Sequence, residues 1–206
     1  IDVSLVGSEM CIRDRIENSR NLMTIRIAQY LGMEKVAEIA NRTGVMENMP
    51  KVLSMALGAG ETSLIDLTAA YASFVNGGKK VEPSLIDRIQ DRRGKNIFLE
   101  NFIACTNCDE PYIEEFPMPK LVNSSESIFD EAKSYQMVSI LKGAVDRGTG
   151  RKTKIDGIEI AGKTGTTNNN TDAWFIGFTS DLIIGVYEGF DRPKSLGKKE
   201  TGSSVA

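Results

Sequence analysis

The apolar positions early in the chain recur at helical spacing. Leu22, Ile25, Ile27, Ala28 and Leu31 make one stripe, and Gly32 suits its end. A second helix is predicted from about Glu34 to Arg42, with Val36, Ile39 and Ala40 on one side and Gly44 after it. Pro50 to Gly60 reads as connecting chain. Ser63-Leu-Ile-Asp66 reads as a capping box that opens a helix through Leu67, Ala70, Tyr71 and Phe74, which Asn76-Gly77-Gly78 stops. Val81 to Phe98 reads as a β-hairpin turning at Asp91 to Gly94, and the acidic, proline-bearing stretch 100–120 as a surface excursion. Glu126 to Arg147 is the longest helical pattern, with Ile128, Phe129, Met137, Ile140, Leu141 and Val145 inward and Gly148-Thr-Gly150 at its end.

From Ile155 the period becomes two. Ile158, Ile160 and Lys163 to Thr166 read as one strand, Ala173 to Phe178 as the next and Leu182 to Tyr187 as a third. Asn168-Asn-Asn170 and Ser180-Asp181 supply the turns, so the strands form an antiparallel meander. Helices precede it in one block, which makes the class α+β. Residues 1–15 share no period with the rest and resemble translated sequencing-adapter read-through; they are set apart as a foreign leader to the domain at 16–206.

The chain has 206 residues, 41% hydrophobic and 26% charged, which suits one packed domain. Its net charge of −3 gives no bulk attraction to nucleic acid. No apolar run approaches the ~20 residues of a membrane helix, and no signal peptide is visible. Histidine is absent, which excludes a Ser-His-Asp triad, a Cys-His pair and His-ligated zinc. A serine enzyme built from this chain must use lysine as its base. Cys105-Thr-Asn-Cys108 is a lone C-x-x-C with only Cys11 elsewhere, so a local disulfide or two free thiols is expected rather than a metal site. No cofactor is expected.

Two tripeptides carry candidate chemistry. Lys163-Thr164-Gly165 sits on a predicted strand, and Ser19-Arg20-Asn21 opens a predicted helix. Alone each is weak, because such strings recur by chance and Ser and Asn are common helix caps. Together, in this order, they are two of the three elements of the S-x-x-K, S-D-N-type and K-T-G set. Their surroundings add to this: Ser19-Arg-Asn-Leu-Met-Thr-Ile-Arg26, Leu57-Gly-Ala-Gly-Glu-Thr62, Ala69 to Gly78, and Ala161-Gly-Lys-Thr-Gly-Thr-Thr167 followed by Asp172-Ala-Trp-Phe-Ile-Gly177. From Ile16 onward the chain resembles the transpeptidase domain of class A penicillin-binding proteins, with the 1A kind the best fit.

That resemblance implies a serine transpeptidase/β-lactamase-like fold, an antiparallel sheet flanked by helices. It implies an acyl-serine D,D-transpeptidase that cross-links peptidoglycan stem peptides ending in D-Ala-D-Ala and is acylated by β-lactam antibiotics. Lys163 would hold the substrate carboxylate, Ser19 would relay a proton to or from the leaving amine, and Asn21 would hold the substrate amide and the catalytic lysine in register. The Thr164 and Thr166 hydroxyls would assist the carboxylate, the Thr166 N–H would help bind the oxyanion, and Gly165 would let substrate backbone lie close. The parent protein would sit on the periplasmic face of the bacterial inner membrane, anchored, with a glycosyltransferase domain upstream.

One departure qualifies this. The S-x-x-K nucleophile should precede Ser19, and nothing in residues 1–18 matches it. Ser139-Ile-Leu-Lys142 and Ser195-Leu-Gly-Lys198 come later and out of order. The chain is therefore expected to hold substrate-binding walls without a nucleophile and to be inactive alone. Alternatives are a β-lactamase or D,D-carboxypeptidase of the same fold and a non-catalytic penicillin-sensor module. Gly157-Ile-Glu-Ile-Ala-Gly-Lys-Thr164 also satisfies the P-loop string, but a P-loop needs a helix starting at the Lys-Thr, and Ile-Glu-Ile alternates like a strand. Arg147, Arg151, Lys152 and Lys154 form either a solvated turn or a basic rim that attracts acidic stem peptides. Trp174 is expected to pack in the sheet.

Overall fold

The computed structural model describes residues 8–100, 103–106, 120–123, 125–197 and 199–204. Cys108, Lys198 and most of the stretch 100–120 lie outside them. The helices are α1 (Ser8–Glu17), α2 (Asn21–Leu31), α3 (Met33–Arg42), α4 (Leu64–Val75) and α5 (Glu131–Asp146). The strands are β1 (Arg88–Gln90), β2 (Asn96–Leu99), β3 (Ile103–Thr106), β4 (Lys120–Asn123), β5 (Ala161–Thr166), β6 (Asp172–Phe178) and β7 (Ile183–Gly189). Helix α1 runs across residue 15 without a break and packs on α5.

Local chemistry sets the helix ends. The Ser63 hydroxyl accepts the Asp66 N–H at 3.1 Å and opens α4. The Asp130 carboxylate accepts the N–H groups of Ala132 and Lys133 at 3.0 and 3.3 Å, so α5 begins at Glu131 rather than at Glu126. Ile128 and Phe129 are inward as expected, but in extended chain whose N–H groups bond to the Gly78 carbonyl. Phe129 stacks on Phe74 with ring centroids 5.0 Å apart.

The sheet that matters is the meander β5-β6-β7, antiparallel throughout. Lys163 pairs with Ile176, Thr164 with Phe175 and Gly165 with Trp174. Strand β5 starts at Ala161, later than the period-two pattern suggests; Ile155 and Ile158 are half exposed and precede the sheet. Helices α5 and α4 cover one face, α5 against β5 and α4 against β7. The core between them is Leu141, Ala161 and Phe178, with Tyr71, Phe74, Met137 and Ile183 packed around. Ala144 and Ala173 are wholly buried, and such small side chains let α5 lie close to the sheet. Burial pushes the Tyr71 hydroxyl up to about 12.

The predicted hairpin after Val81 is present in shorter form, as β1 and β2 joined at Asp91 to Lys95, and its side chains are exposed. Strands β3 and β4 pair antiparallel, with Cys105 opposite Leu121, where the sequence suggested only an excursion.

Candidate active site

Strand β5 ends the meander: its inner edge pairs with β6, and no strand among the described residues pairs with its other edge. Lys163 lies in the middle of that strand. A P-loop would require a helix to start there, so the nucleotide-binding alternative fails on backbone geometry.

Opposite Lys163 stands the turn between α1 and α2. The Arg20 N–H bonds to the Arg15 carbonyl at 2.8 Å, and the Ser19 N–H to the Ile16 carbonyl at 3.1 Å. That pair of bonds is a Schellman closure of α1. Its left-handed position, normally glycine, is Ser19 with φ 52°. A serine there costs about 1 kcal/mol or more of backbone strain. Strain held by a side-chain residue in glycine's place argues that the side chain is needed. Ser19 does not cap α2; the capping position is Arg20, with no side-chain bond. Instead the Lys163 ammonium donates to the Ser19 hydroxyl and, at 2.9 Å, to the Thr164 carbonyl. Two segments 144 residues apart in sequence thus meet at one contact.

The electrostatics follow from what is missing around that ammonium. Among the described residues no carboxylate forms an ion pair with Lys163. Partial burial without a counter-charge lowers its pKa from 10.5 to about 8. An incoming carboxylate would supply the missing charge and restore the protonated form.

The other expected residues are placed as follows. The Thr164 hydroxyl lies 2.7 Å from that of Thr149, in the turn after α5. Thr166 is exposed, and its hydroxyl accepts the Gly202 N–H at 3.3 Å. At Gly165 a Cβ would meet the Trp174 Cβ at 3.2 Å, so the bare glycine first makes room for its cross-strand neighbour. Trp174 in turn packs on Tyr187, centroids 4.6 Å apart. Asn21 is exposed at the start of α2 and lines a depression of about 340 Å³ with Arg15, Arg20, Leu22, Met23 and Arg26. No side-chain hydrogen bond joins it to Ser19 or Lys163 in this structure. Of the two S-x-x-K strings, Ser139 lies within α5 and receives a bond from Arg13, while Lys142 pairs with Glu159 at 2.5 Å. Sequence reasoning missed Glu17, Thr149 and Gly202, none of which belongs to a motif; Arg147 was read as part of a solvated turn or a basic rim, not as a partner of Glu17.

Comparison with known proteins identifies the family. Residues 2–202 match the family model described as penicillin binding protein transpeptidase domain. The chain is 45% identical over 203 residues to penicillin-binding protein 1A of Rickettsia prowazekii, covering 96% of this chain and 25% of that one. It is 36% identical over 198 residues to the protein of the same name from Neisseria gonorrhoeae, covering 95% and 23%. The crystal structure of penicillin-binding protein 1A from Haemophilus influenzae superposes with a TM-score of 0.73 at 29% identity, over 94% of this chain and 32% of that one. The chain thus spans about a quarter of the length of its curated relatives. Matched over nearly its whole length and folded as its relatives are, the chain belongs to the penicillin-binding protein transpeptidase family.

Proposed function

We propose that this chain forms one wall of the active site of a peptidoglycan D,D-transpeptidase. The observation that carries the proposal is the half-buried Lys163 ammonium, facing the Ser19 hydroxyl on an open strand edge with no ion-pair partner among the described residues. A stem peptide ending in D-Ala-D-Ala would lie along β5 with its carboxylate on Lys163, assisted by the Thr164 and Thr166 hydroxyls. The Thr166 N–H would help bind the oxyanion and Asn21 the substrate amide. Ser19, already in contact with the lysine, would pass a proton to the leaving D-alanine amine.

The nucleophile would be a serine of an S-x-x-K motif elsewhere in the protein. It attacks the D-Ala-D-Ala carbonyl, the peptide C–N bond breaks, D-alanine leaves with the relayed proton, and an acyl-serine remains. An amine of a neighbouring strand then attacks the ester and frees the serine. A β-lactam would acylate the same serine. The parent protein would be anchored on the periplasmic face of the inner membrane, with a glycosyltransferase domain upstream. The match to a transpeptidase domain supports transfer to an amine over hydrolysis.

Fluorescent penicillin tests this. The 206-residue chain should give no covalent band, the full-length parent should give one, and Lys163→Ala in the parent should weaken it at least about a hundredfold, as for loss of a charge-assisted anchor. A band on the short chain, or unchanged labelling of the variant parent, would overturn the proposal.

A further inference from the structure

Glu17 closes α1, two residues before Ser19, and is only 3% exposed. Carboxylates are rarely buried unless paired. Its Oε1 accepts from the Arg147 guanidinium at 2.6 Å, with the Arg13 guanidinium at 3.8 Å. The wall around it is made of missing side chains. A Cβ at Gly143 would lie 2.0 Å from that Oε1, and a Cβ at Gly148 would lie 2.2 Å from the Glu17 carbonyl oxygen. That carbonyl accepts the Thr149 N–H at 3.1 Å. The turn after α5 therefore grips both the side chain and the backbone of Glu17.

The same turn reaches the strand. The Thr149 hydroxyl bonds with that of Thr164, whose carbonyl accepts from Lys163, whose ammonium donates to Ser19. The contacts make a closed ring from Glu17 through Thr149, Thr164, Lys163 and Ser19 back to Glu17. Ser19 is strained and would relax if its anchor were released. We propose that the Glu17–Arg147 pair is a positioning clamp that holds the Ser19 turn against Lys163, acting through the Gly148-Thr149 turn and touching no substrate itself. Its meaning for catalysis rests on the transpeptidase reading; the contact it maintains does not.

Competitive acetylation of this chain across pH 6–11, read residue by residue by mass spectrometry, tests the clamp without substrate. Lys133 and Lys152, both exposed, serve as internal references. In the wild type, Lys163 should titrate near 8. In Glu17→Ala the turn retreats, solvent reaches the ammonium, and the Lys163 midpoint moves up toward the ordinary lysine value of 10.5. Its reactivity at neutral pH then falls about tenfold or more as the free amine is lost. Glu17→Gln, which keeps an acceptor for Arg147, should restore the wild-type titration; a general loosening of α1 would not discriminate in this way. If Glu17→Ala does not fold, Arg147→Met removes the same pair from its exposed side. Wild-type titration of Lys163 in the alanine or methionine variant overturns the clamp. So does failure of both to fold, which would make the pair a determinant of folding and not of position. Because no substrate is present, a failed penicillin test leaves this result standing.

Discussion

At the scale of single residues, the site is an arrangement of unfavourable choices that support one another. Ser19 occupies a backbone conformation that suits glycine, and Lys163 sits half buried with no ion-pair partner among the described residues. Either alone would be a defect; facing each other, they hold a hydroxyl and an ammonium together beside the open edge of β5. The lysine has a measurable consequence for folding. Its folded pKa of about 8 lies below its unfolded value of 10.5, so between those values the unfolded chain binds more protons. Stability should therefore rise as pH is raised from about 8 to 10.5, and the cost of burying the charge is fully felt below 8. Urea unfolding of the wild type and Lys163→Met at pH 7 and pH 10 checks this. The wild type should gain on the variant at the higher pH, and a constant difference would refute the assignment. The identity of both residues was legible in the sequence, because their motifs name them. Their strain was not: neither a positive φ at serine nor the burial of a lysine is written in local pattern, since both come from what packs opposite.

At the scale of elements, the readable parts were those whose chemistry is local. The Ser63 cap, the Gly32 stop of α2 and the turns of the meander each follow from a few adjacent residues. The misread ends have a common cause. Ile128 and Phe129 are apolar and inward, and so looked helical, but their N–H groups bond to Gly78 on another segment. Ile158 and Ile160 alternate like a strand yet pair with no strand among the described residues. In both cases the pattern of apolar positions showed burial at 128 and 129 or alternation at 158 and 160, and left the partner open. Ser63→Ala should lower stability by about 1 kcal/mol, measured as a shift in the urea midpoint, while Lys163 titrates unchanged. A larger loss, or a shifted lysine, would mean that α4 does more than support the sheet.

At the scale of the whole molecule, one helix–sheet core holds two distant segments in register. Helix α5 lies against β5 on one side and, through its C-terminal turn, against the end of α1 on the other. That is how a turn at residue 19 comes to face a strand at residue 163, and it is the relation no local reading could supply; only the likeness to a family whose motifs meet made it expected. The most direct test is to follow the Lys163 side-chain resonance while adding a short peptide ending in D-Ala-D-Ala, at pH values on either side of 8. Lys163 should shift only with the free C-terminal carboxylate, the shift weakening as pH rises through about 8 and disappearing with the C-terminally amidated peptide. Equal binding of the acid and the amide, or a response at other lysines with Lys163 silent, would contradict it.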